Sequence, residues 1–125
     1  MTMGWEQTSL FPTASRSDMQ AARSLLKRYE RMRRVVDILG SRTALNEKEK
    51  QVLEEYRQRA DTVEMAVKMI IDDGVRRVME FRFIRGNTRW GTVSRFNSIT
   101  DRSVDRRIVR GVESVAETLK LIGII

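Results

Sequence analysis

The 125-residue chain has no cysteine and no histidine. Without cysteine there are no disulfides, thiolate zinc sites or thiol nucleophiles. Without histidine the commonest metal ligand and the commonest general base at neutral pH are gone as well. Proline occurs once and aromatic residues make up only 6%. No stretch alternates valine, threonine and aromatics between turn residues, so the signal of a strand hairpin is missing. No run approaches the roughly 18 apolar residues of a membrane span, and residues 1–16 hold no signal-peptide core. Neither a Gly-rich phosphate loop nor a nucleophile elbow occurs. These absences predict a soluble, cytoplasmic protein with no membrane contact, no enzymatic activity, no metal and no cofactor.

What is present points to helices and to a polyanion. Hydrophobic residues make up 41% and charged residues 33%, the balance of an ordered helical chain. The length suits one domain, or a small domain with an accessory segment. The net charge is +7 and the isoelectric point about 10.5, which favours a polyanionic partner. The charge is uneven. Residues 18–40 carry six cations and three anions, residues 41–72 six and seven, and residues 73–125 eleven and six. Nineteen of the 24 cations are arginine, the side chain suited to bidentate phosphate and guanine contacts. A high-GC coding bias would give the same preference.

Residues 1–17 are polar and without helical period, so a flexible N-terminal arm is expected, with Trp5, Leu10 and Phe11 free to dock. Residues 18–72 read as a helical hairpin. Ser17 or Asp18 caps the first helix, whose apolar positions Ala22, Leu25, Tyr29, Met32, Val36 and Leu39 alternate spacings of 3 and 4. Asn46 caps the second, with Leu53, Tyr56, Ala60, Val63, Val67 and Ile70 in the same rhythm. Two matched seams fit either an intramolecular hairpin or a coiled coil that makes a homo-oligomer. From Val75 a third helix runs to a C-cap at Gly86. A short helix follows over about 89–96, with Trp90, Val93 and Phe96 on one face. Thr100 or Asp101 caps the last helix, with Val104, Ile108, Val112, Val115 and Leu119 facing inward. The fold class expected is all-α: a long helical hairpin, then a three-helix helix-turn-helix domain over 73–125.

In such a domain the last helix reads DNA, its first turns reaching base edges and its flanks the phosphates. Arg102 and Arg106 are the expected base readers, since arginine to guanine is the commonest specific contact. Ser103 and Asp105 are placed to read or reject neighbouring bases. Arg89, Arg95, Thr100, Arg107 and Arg110 are the expected phosphate contacts. The alternative is a solvated arginine face on an ordinary helical bundle.

The run from Val78 through Glu80, Arg82 and Gly86, then Trp90-Gly91-Thr92-Val93, then Thr100 to Ile108, resembles region 4 of bacterial sigma factors. More closely, it is similar to the sigma-region-4-like domain of phage late-gene transcription regulators of the ArpU/RinA type. Val93-Ser94 stands where that family usually has an Ile-Ala pair, and Ile99 where a small residue is usual. The resemblance covers about 45 residues and implies a phage or prophage regulator in a bacterial host cell, acting on double-stranded DNA at a promoter or operator, with RNA polymerase as a second partner. Two other readings remain. A small terminase subunit would recognise viral DNA for packaging as an oligomeric ring, and an adaptor would bind only protein. A ring of eight or more subunits favours the terminase; absence of salt-dependent DNA affinity favours the adaptor.

Overall fold

The computed structural model describes residues 12–125, which form five helices and, among these residues, no strand. Helix α1 spans Arg16–Gly40, α2 Glu47–Lys68, α3 Asp73–Met79 with a π-helical continuation Glu80–Ile84, α4 Arg89–Arg95 and α5 Asp101–Leu121. The chain is all-α, as expected, and a long N-terminal helix pair precedes the other three helices.

Helix α1 begins earlier than the sequence reading placed it. The cap is Ser15, not Ser17 or Asp18. Its Oγ accepts from the Asp18 N–H at 3.1 Å, while the Asp18 carboxylate accepts from the Ser15 N–H at 2.9 Å. The reciprocal box satisfies two orphan donors where a lone cap satisfies one. Asp18 also accepts from Lys120 Nζ at 2.9 Å, which ties the start of α1 to the end of α5. Residues 16 and 17 are therefore helical, and Trp5, Leu10 and Phe11 of the expected arm lie outside the described residues. Helix α2 starts where predicted, with Asn46 and Glu49 forming a second capping box.

The two seams meet each other within one chain. Ala22, Tyr29 and Met32 of α1 are buried with Ala60, Val63 and Val67 of α2, and Val36 is buried further along α1. Leu26 takes the innermost place at 1% exposure while Leu25 is only half-buried, so the apolar stripe is broader than a strict heptad. Helix α5 lies on both, adding Val112, Val115, Ala116 and Leu119 to the same core. Full burial of each leucine or valine stabilises by about 1.5–3 kcal/mol. A polar clasp closes the hairpin: Tyr29 Oη donates to Glu64 at 2.5 Å, and Arg33 bridges Glu64 and Asp61.

The core continues into α3 through Val75, Met79 and Phe83. Gly111 permits the approach of α3 to α5, because a Cβ there would overlap the Met79 side chain. The π segment has no counterpart in the sequence reading. Arg85 N–H reaches back five residues to the Glu80 carbonyl at 2.9 Å. The extra residue turns later side chains by about 100° relative to an α continuation. Phe83 is buried, and Phe81 and Ile84 are half-exposed. The segment stops at Gly86, whose φ of +71° is the left-handed C-cap conformation expected there.

In helix α4 the expected face of Trp90, Val93 and Phe96 is not the most buried one: Trp90 is 68% exposed, and the residue fully buried is Thr92. The cause is local. Thr92 Oγ1 donates to the Thr88 carbonyl at 2.8 Å, which lets a small polar side chain enter the core, and the Trp90 ring is covered instead by the Arg89 guanidinium at 4.8 Å. Val93 and Phe96 are half-buried. The inner face of α5 is as expected, with Val104, Val112, Val115 and Leu119 fully buried and Ile108 partly so. After α5 the tail folds back, Ile124 N–H donating to the Leu119 carbonyl at 2.9 Å and Ile125 packing on the core.

Candidate nucleic-acid interface

The turn after α4 ends at Thr100, which is extended and caps α5. Its Oγ1 accepts from the Ser103 N–H at 3.1 Å and lies 3.0 Å from the Ser103 hydroxyl. Thr100 and Ser103 therefore fix where the helix begins. Val104 holds this end down from beneath at 0% exposure. Arg102, Arg106 and Arg110 recur every four residues along one exposed stripe of α5. Among the described residues, none of the three forms an ion pair.

Two of the sequence-predicted residues face each other. Arg89 Nε and Nη2 donate to the two carboxylate oxygens of Asp105 at 2.9 and 2.7 Å. This fork holds the Asp105 carboxyl below its usual range and raises the Arg89 guanidinium further. Read separately as a phosphate contact and a base reader, the pair forms a strut between α4 and α5. Bidentate geometry is the strongest form of such a contact.

Arg95 and Arg107 lie on a different side. They border a cleft with Gly74, Arg77, Ser98 and Ile99. The Arg107 guanidinium rests over Gly74, where a Cβ would sit 2.8 Å from Nη1. Arg77, which joins them there, was missed in the sequence reading. It belongs to the scaffold helix, 18 residues before Arg95, and no local spacing links the two. The predicted residues thus fall into four groups: the Thr100–Ser103 cap, the α5 stripe, the Arg89–Asp105 strut, and the cleft.

No helix among the described residues is long and apolar enough to cross a membrane. No family model, curated protein or solved structure matches the chain.

Proposed function

We propose that this chain is a sequence-specific double-stranded DNA-binding protein, a transcriptional regulator that reads a promoter or operator with the first two turns of α5. One observation carries the reading: Arg102 and Arg106 stand exposed and free of carboxylates, one turn apart, on a capped helix end anchored by Val104. An α-helix fits the major groove, and each guanidinium there is able to take guanine O6 and N7 together. Ser103, between them in sequence and half-exposed, is a donor or acceptor for either kind of base. The overall charge of +7 favours attraction to the duplex. The regulatory task, of the phage ArpU/RinA kind and with RNA polymerase as partner, rests on the sigma-region-4 resemblance.

The test is selection of binding sites from a pool of random duplexes. The wild-type chain is expected to enrich one sequence. On that sequence Arg106→Ala should cost about 1–3 kcal/mol and lose discrimination at one position, while binding to random duplex changes little. If no sequence is enriched, specific reading is wrong. A solution mass equal to a ring of eight or more subunits would move the task from regulation to packaging of viral DNA.

A further inference from the structure

Two neighbouring clefts run along the α3–α4 side of the molecule, and they share Arg77, Arg95 and Phe96. One continues to Arg107 and the turn before α5; the other continues to Phe81 and Arg85 on the π segment. Four guanidiniums therefore border one concave track. Phe81 and Phe96 meet edge to face, with ring centres 5.8 Å apart. Arg85 stacks over Phe81 at 5.3 Å and Arg95 over Phe96 at 5.7 Å. The aromatic pair is a bracket that holds two cations in place, which lowers the entropy lost when they engage an anion.

Little neutralises these charges. Among the described residues, Arg85, Arg95 and Arg107 pair with no carboxylate, and the Arg77 contact to Asp73 is 3.9 Å long and exposed, a geometry worth little. Glu80 also borders the track, but it leans toward Arg76 at 4.0 Å. Like charges gathered in a concavity focus a field of one sign on whatever enters. Both rings are already engaged with each other and with guanidiniums, so the track presents N–H donors rather than a stacking platform for a base.

We propose that this track is a phosphodiester-backbone site: Arg77, Arg85, Arg95 and Arg107 grip phosphates of a DNA strand passing the α3–α4 side while the α5 stripe enters the groove. The proposal rests on the DNA-binding reading above and adds a second, sequence-independent contact surface to it. Its continuity with that surface is direct, because Ser98 and Ile99 of the track lead into the Thr100 cap.

Binding is measured by fluorescence anisotropy for wild type, R85A/R95A, R85K/R95K and R106A. Each is titrated against the selected duplex and a random duplex between about 50 and 200 mM salt, the range over which phosphate contacts are most clearly resolved. R85A/R95A should lose affinity for both duplexes by the same factor, and its log–log salt slope should shrink by about two. R85K/R95K should keep most of the slope, and R106A should lose the selected duplex preferentially. If R85A/R95A fails to fold by circular dichroism, R85A alone is measured, with a slope change of about one expected. Wild-type affinity and slope in the alanine variant would overturn the backbone site and leave the α5 reading standing, an acidic protein segment then being the class of partner the track fits. Failure of the wild type to bind any duplex would overturn both.

Discussion

Gly86 stops the π segment at a φ of +71°, and the Glu30 carboxylate of α1 occupies the space a Cβ at Gly86 would need. Any L side chain there meets two penalties, the left-handed backbone and the displacement of Glu30. Gly86→Ala is therefore expected to destabilise the fold by about 1–2 kcal/mol from backbone conformation alone, read as a lower urea midpoint. Glu30 is the flexible end of a side chain, so repeating the substitution in a Glu30→Ala background should return only part of the loss. Full recovery would mean that φ is not the cause. The glycine was legible in the sequence because a C-cap has a residue signature; its neighbour Glu30, 56 positions earlier, has none. The same distinction separates Thr100, recognisable as a cap from its own neighbours, from the Arg89–Asp105 strut, which only the packing of α4 on α5 creates.

Among the elements, the hairpin shows most clearly what spacing reveals. The alternation of 3 and 4 identifies both seams, but it leaves open which surface they meet; burial of Tyr29, Met32, Val63 and Val67 in one core answers that. Spacing is blind to the π segment, since a single inserted residue needs no unusual amino acid. It also passes over Thr92, because apolar spacing picks out Trp90, Val93 and Phe96 while a threonine-to-carbonyl hydrogen bond takes the small polar side chain inside. The clasp across the hairpin gives a prediction at this scale. Glu64 accepts from both Tyr29 and Arg33, whereas Arg33 retains Asp61 at 2.9 Å when Glu64 is changed. Glu64→Ala should cost about 1–3 kcal/mol, and Tyr29→Phe about 1 kcal/mol, with the urea m-value unchanged in both. A larger loss for Tyr29→Phe than for Glu64→Ala would show that the carboxylate is not the centre of the clasp.

Across the whole molecule, the missing histidine shapes the response to pH. No side chain with an ordinary pKa titrates between about pH 5.5 and 8, so stability should be nearly flat there. Among the described residues three carboxyls are held low: Asp18 by the Ser15 N–H and Lys120, Glu49 by the Asn46 N–H and Arg42, and Asp105 by Arg89. Their contribution is present above the ordinary carboxyl range and is lost as pH falls through their lowered values. Glu117 has the opposite sign. Burial, then the charge of Glu113, push its pKa up, so its contribution is present at low pH and lost as pH rises through the raised value. Glu117→Gln should therefore raise stability at neutral pH, by roughly 0.5 kcal/mol at most for a half-buried site, and the gain should disappear in acid. Thermal melts at a series of pH values measure it; an equal gain at every pH would exclude the charge as its cause. At this scale the sequence announced helices and their polarity, but not the seating of the far half of α5 on the hairpin. Contacts between residues a hundred positions apart leave no periodic trace.

That seating divides α5 along its length of about 30 Å. Near its start, Arg102 and Arg106 are exposed, and substitutions at such surface positions usually shift stability by no more than about 0.5 kcal/mol. Beyond Val112 the helix is buried on one side, and truncating a residue such as Leu119 to alanine costs about 2–5 kcal/mol. Variation is thus cheap at one end of a single rod and severely penalised at the other. A lineage carrying this chain is able to accumulate changes at 102 and 106 and pass on a new surface chemistry with an unaltered scaffold, one substitution at a time.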